Sequence, residues 1–260
     1  MSDARARSAI VSFVLLDRVG PPDGSMIAAS YARLFPKAPR AFCSVRQDGE
    51  HGVALTVERR GARPTNVGTT PMPVPNGEAE AAVELGLSAL FDDFELPPHR
   101  AHFVVVTSTN DEDDPVEALT LHTHLVAAIV DAHHAVGVYE GAARATHGPE
   151  FYVEIATTTD IPVMLWTGVS IARPNAKTTE ILTLGLDQVG MPNFLFVAPL
   201  GSEGDALELL FRVAGHVAEN RQPIPEGETI GRSEGERLPV LYVPSPVGDG
   251  ALVARIELRN

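Results

Sequence analysis

The sequence predicts an α+β fold, with mixed sheets carrying helices on their faces and consecutive hairpin strands in the C-terminal half. Three observations lead there. Two short runs, 9–16 and 102–107, are apolar on both alternating faces, as strands covered from both sides must be. Three segments, 24–35, 115–131 and 205–221, repeat apolar residues at helical spacing. From residue 161 onward, strand-like segments at 161–171, 179–184 and 194–197 follow one another with no helix between them. The expected organisation is an α/β-like half, 1–158, and a strand-rich half, 159–260, on a shared core, with the strands at 9–16, 101–107 and 161–171 central.

In chain order, Asp23-Gly24-Ser25 offers capping groups to a helix that buries Ile27, Tyr31, Leu34 and Phe35 and stops at Pro36. Segments 42–46 and 53–59 read as a hairpin, and 70–75, with three prolines that cannot donate to a ladder, as an extended crossing. Asn76 with Glu78, Glu80 and Glu84 opens a helix that turns Val83, Leu87, Leu90 and Phe91 inward. Asp114, Pro115 and Glu117 mark the start of the long helix, and 136–139 is a short strand before a helical turn at 149–156. In 161–171, residues Ile161, Val163, Leu165, Thr167, Val169 and Ile171 should share one face, leaving Met164 and Trp166 on the other, with 179–184 as the hairpin partner. The last helix buries Leu207, Leu210, Phe211, Ala214 and Val217, and the strands 240–243 and 252–258 close the chain with Leu252, Ala254, Ile256 and Leu258 facing in.

The 260 residues carry a net charge of −14, which repels a phosphate backbone and argues against nucleic acid as a partner. Basic residues concentrate before residue 64, whereas Arg100 is the one basic side chain in 64–130, so the first part is suited to dock on the second. No apolar run approaches the roughly 20 residues that span a bilayer, so no membrane association is expected. A single cysteine, Cys43, excludes an internal disulfide and points to a reducing, cytoplasmic setting; in its apolar segment it reads as a packed, inert thiol.

The chain lacks the phosphate-binding loop, the dinucleotide-binding glycine pattern, the nucleophile elbow and the metalloprotease helix motif. Its densest set of reactive side chains is His122, His124, Asp131, His133 and His134. On one helix His122 and His124 point nearly opposite ways, and His122 and His133 lie about 16 Å apart along the axis, so no metal or cofactor is expected there. His122 reads instead as a semi-buried, hydrogen-bonded histidine, and His133 and His134 as a solvated pair favoured by the helix C-terminus. The acidic run 110–114 lacks the glycine and distal glutamate of an EF-hand loop. For catalysis the candidates are His133 or His134 with Glu140, a histidine and carboxylate pair of the kind general acid–base hydrolysis uses.

The segments Ile161-Pro162-Val163-Met164-Leu165-Trp166, Leu182-Thr183-Leu184-Gly185-Leu186 and Val189-Gly190-Met191-Pro192 resemble the bacterial family called domain of unknown function 4261. Upstream pieces around 72–75, 113–118, 135–141 and 149–152 are similar to it as well, so the resemblance spans about 70–245 and is strongest after 160. It implies a fold and no assigned chemistry. Among the matching positions Tyr139, Glu140, Glu150, Tyr152 and Trp166 are candidates for a binding cleft, with core packing as the expectation for Trp166. Acidity without catalytic motifs suggests a non-catalytic cytoplasmic interaction protein, an immunity or secretion-system accessory factor, whose protein partner presents a basic surface.

Overall fold

The computed structural model of the protein describes residues 9–38, 46–47, 52–55, 64–110, 112–233, 235–248 and 250–258. The first half contributes β1 (Ala9–Leu16), α1 (Gly24–Leu34), β2 (Arg46–Gln47), β3 (Gly52–Leu55), β4 (Thr65–Thr70), α2 (Glu78–Ala81), α3 (Leu87–Asp92), β5 (Ala101–Ser108), α4 (Pro115–His133), β6 (Gly137–Glu140), β7 (Ala145–His147) and α5 (Pro149–Thr158). Its described strands form an antiparallel sheet in the order β2-β3-β4-β5-β1-β6-β7, so both doubly apolar runs are central. The pleat of β1 separates two cores. Val14 and Leu16 face the layer of α1 and α4, while Leu15 joins Val74, Ala79, Ala82 and Tyr139 on the opposite face.

The second half contributes β8 (Gly168–Ala172), β9 (Thr178–Leu184), β10 (Phe194–Pro199), α6 (Glu203–Asn220), β11 (Thr229–Ile230), β12 (Leu238–Pro239), β13 (Leu241–Pro244) and β14 (Leu252–Glu257). Its sheet runs β13-β14-β10-β9-β8, mixed because β10 and β14 are parallel and the other pairs antiparallel. The fold is therefore α+β with a mixed sheet in the C-terminal half. Ile181, Phe194, Phe196, Ala254 and Ile256 line its inner face, against which α6 packs, and belong to the same apolar cluster as Val14 and the α4 residues Leu125, Val126 and Ile129.

The helix signals hold where side chains close them. Asp23 Oδ1 accepts from the Ser25 and Met26 N–H groups, and Asp114 Oδ1 from those of Val116 and Glu117. Four expectations need correction. Segment 161–171 is not one central strand: Val163–Trp166 is a 3-10 turn, and β8 begins only at Gly168, at the edge of its sheet. Leu165, Trp166 and Thr167 are buried in succession, so the apolar run reflects burial on all sides, which sequence periodicity does not separate from a strand. The helix expected from 76 to 91 is broken into short turns, leaving Leu90 and Phe91 exposed. Asn76 and Gly77 are left-handed, and Gly86 is extended at a close approach to β7 that only glycine permits, since a Cβ there would sit 2.0 Å from the Thr146 carbonyl oxygen. Thr65–Thr70, not marked as a strand, is paired on both sides by β3 and β5. Leu252 opens its strand exposed, whereas Ala254, Ile256 and Leu258 face in. Cys43 and the remainder of the 42–46 and 53–59 hairpin strands lie outside the described residues, apart from the antiparallel pairing of β2 with β3.

Candidate functional site

A chain of buried polar side chains runs through the layer between the first sheet and its helices. Ser12 interrupts the apolar run of β1 on the face turned toward α4, where helical spacing from Leu119 and Val126 brings His122 down onto the sheet. Ser12 Oγ lies 2.8 Å from His122 Nε2 and 2.6 Å from Glu140 Oε2, Glu140 being on the neighbouring strand β6 and directly opposite Ser12. On the other side of the imidazole, Thr107 Oγ1 of β5 stands 2.8 Å from Nδ1, and Thr65 Oγ1 of β4 stands 2.7 Å from Thr107. At the far end the Tyr152 hydroxyl of α5 donates to Glu140 Oε1 at 2.8 Å. Thr123, next to His122, accepts from Trp166 Nε1 at 2.9 Å and donates to the Leu119 carbonyl. Ser12, His122 and Tyr152 have no solvent exposure, and Glu140 is 7 % exposed.

Burial decides the charges. It pulls His122 down to about 3, so the ring is neutral, and lifts Glu140 to about 7, against the pull of the Ser12 and Tyr152 hydroxyls. The Tyr152 phenol rises well above its ordinary value through burial and through its carboxylate neighbour. Donor and acceptor roles then follow from the protonation of Glu140. When it is ionised, Ser12 must donate to it, so Ser12 accepts from His122 Nε2–H, Nδ1 accepts from Thr107, and Thr107 accepts from Thr65. When Glu140 is protonated it donates to Ser12, and each link reverses, leaving the imidazole proton on Nδ1. The same heavy-atom geometry serves both states.

This order differs from that of a nucleophilic triad. There a carboxylate orients the histidine through Nδ1 and the freed Nε2 takes the serine proton. Here a threonine occupies the Nδ1 side, the carboxylate competes with the histidine for the serine proton, and the histidine is too weak a base to win it near neutral pH. The arrangement is a buried hydrogen-bonded chain whose links can polarise one another.

The residues singled out from the sequence are distributed unevenly around this path. Glu140 and Tyr152 meet in it, and Trp166 reaches it through Thr123. Tyr139 projects from the opposite sheet face and stacks on Phe13 with ring centroids 5.6 Å apart, while Glu150 is exposed in the first turn of α5. His133 accepts from the Asp23 N–H at 3.2 Å and sets its ring edge-on to Phe103, and His134 is the exposed, left-handed residue that ends α4. The histidine that approaches Glu140 is His122, through Ser12, in a core more closed than the semi-buried setting expected of it. His124 stacks on Phe35, and burial pulls it to about 4. Asp114 caps α4 and pairs with Arg221, and Asp113 accepts from the Asn110 N–H. Among the described residues no three His, Cys, Asp or Glu side chains converge to hold a metal. Ser12, Thr107 and Thr65 were not anticipated, although a lone hydroxyl in a doubly buried strand is a signal, since such a group must find a partner.

Fold and site together define an α+β protein with a hydrogen-bonded Ser12–His122–Glu140 chain buried in its core. The sequence model of the family described as "Domain of unknown function (DUF4261)" matches residues 182–257, from within β9 to the end of β14. This agrees with the stronger, later part of the resemblance; the buried polar chain and Trp166 lie outside the matched stretch. No curated protein and no solved structure matches the chain. Among the described residues no helix is long and apolar enough to cross a membrane.

Proposed function

We propose that the protein is a non-catalytic interaction factor that acts by binding a protein partner with a basic surface, as an immunity or secretion-system accessory factor would. The observation that carries this reading is the closure of the Ser12–His122–Glu140 chain: its serine and histidine have no exposure, and its histidine is held neutral. A site in that state offers neither a nucleophile nor a general base to a substrate. The net charge of −14 supplies a field that speeds encounter with a basic partner. The 2.8 Å contact between Ser12 and His122 favours a second reading, a hydrolase that opens to its substrate.

Capture from native lysate at low and at moderate salt, followed by a hydrolase panel on the parent and on Ser12→Ala, separates the two. The interaction reading expects a stoichiometric partner whose capture weakens with salt, and no activity that Ser12→Ala removes. Absence of any partner at both salt levels, or a hydrolysis lost in Ser12→Ala, overturns it.

A further inference from the structure

Between β4 and α2 the chain runs as Pro71-Met72-Pro73-Val74-Pro75, a strap over the second apolar face of the first sheet. Proline carries no N–H, so Met72 and Val74 hold the only backbone donors of the strap. The Val74 N–H donates to Nε2 of the buried His99 at 3.1 Å, and the Met72 carbonyl accepts from His102 Nδ1 at 2.9 Å. Two histidines thus fasten the strap, and the Val74 side chain packs into the cluster of Leu15 and Tyr139.

The two fastenings respond differently to a proton. His102 donates to a carbonyl, and that bond survives a charge on its ring. His99 accepts from a group that can only donate, so its ring is neutral and carries its one proton on Nδ1. A second proton has to go to Nε2, where it would set N–H against the Val74 N–H and turn the hydrogen bond into a repulsion.

The surroundings of His99 attract that proton. Its side chain is sealed from solvent, and Nδ1, which has no hydrogen-bond partner, lies 3.4 Å from Glu80 Oε1 of α2. On β5 the facing titratable group is His102; burial holds its ring below the ordinary histidine value and a charge on His99 presses the same way, so the pair resists double protonation. The strap itself is uncharged, Glu78 of α2 is engaged by Tyr139, and Arg100, next in the chain, is exposed. Asn76 and Gly77, both left-handed, form the turn that joins the strap to α2.

We infer that residues 71–75 are an acid-released strap: neutral His99 latches it through Val74, and a proton taken up at His99 Nε2 frees it and uncovers the apolar face at Leu15 and Tyr139. The latch does not depend on the interaction reading above.

Hydrogen exchange of the Val74 amide, followed by NMR on the nitrogen-15-labelled full chain, tests it. A strap that opens on uptake of one proton by a histidine with the ordinary value of about 6.5 should lose protection roughly tenfold between about pH 7.5 and about pH 5.5, relative to an unstructured peptide at each pH. The amides of β5 should keep theirs. His99→Gln, whose side-chain oxygen accepts from Val74 without titrating, should hold Val74 protected across the range. In the parent alone, the ring nitrogen shifts of His99 should show Nε2 gaining its proton as protection is lost, which decides the matter if the variant does not fold. Val74 protection indifferent to pH in the parent, a loss shared by His99→Gln or by the amides of β5, or a His99 protonated at Nε2 with Val74 still protected overturns the proposal.

Discussion

Trp166→Ala is expected to lower the free energy of unfolding by about 3–5 kcal/mol, the range for removing a large buried aromatic side chain. Trp166 is 2 % exposed and belongs to the main apolar cluster. Its loss leaves a cavity beside α4, near α5 and α6, and also deprives Thr123 of the indole N–H. Trp166→Phe should cost less, because much of the ring volume remains and the loss is weighted toward one hydrogen bond, worth about 1 kcal/mol net. Denaturant midpoints for the two variants check the pair of values. A Trp166→Ala protein as stable as its parent would contradict the core placement.

Glu140→Gln is expected to raise stability relative to the parent at and above neutral pH and to leave it nearly unchanged below about pH 4.5. The folded-state pKa of Glu140 is raised from 4.5 to about 7, so its favourable contribution is full below 4.5 and is lost as pH rises through about 7. Above that point the fold carries a buried carboxylate at a cost of about 3 kcal/mol relative to the neutral acid. Glutamine reproduces the neutral arrangement: its oxygen accepts from Tyr152 and its amide donates to Ser12, which in turn donates to His122. Glu140→Leu removes the partner of two buried hydroxyls and should destabilise at every pH. The histidines act in the opposite sense. His122 and His124 have lowered values, so their contribution is present above the ordinary 6.5 and is lost as pH falls toward about 3 and about 4. Unfolding curves for the parent and Glu140→Gln should therefore converge below about pH 4.5, separate progressively up to about pH 7 and keep a constant difference above it. Superimposable curves at alkaline pH would show that Glu140 is not held as described.

Elements governed by local chemistry were legible in the sequence. Double-sided apolar runs mark β1 and β5 as central strands, and Asp23 and Asp114 mark the starts of their helices through local capping alone. What stayed hidden depends on distant neighbours. β4, Thr65-Asn66-Val67-Gly68-Thr69-Thr70, has little apolar pattern and is a strand because β3 and β5 pair with it on both edges. The 3-10 turn at Val163–Trp166 carries the hydrophobicity of a strand because it is enclosed on every side. Gly185 marks the same enclosure, with φ of +103° and the Trp166 carbonyl oxygen only 2.4 Å from where a Cβ would stand. The polar chain was legible only in pieces. Glu140, Tyr152, His122 and Trp166 each stand out in the sequence, but Ser12 joins residues 110 and 128 positions away, and no spacing rule reaches across such separations.

Ser12, His122 and Glu140 form one buried, hydrogen-bonded chain in the core. The nitrogen-15 shifts of the His122 ring, followed from about pH 8 to about pH 5, test it most directly. The ring is expected to stay neutral throughout, with its proton on Nε2 at the alkaline end and on Nδ1 once Glu140 has taken up a proton near pH 7. A His122 that becomes doubly protonated near its ordinary value of 6.5 would show a solvent-accessible base beside Ser12 and would contradict it.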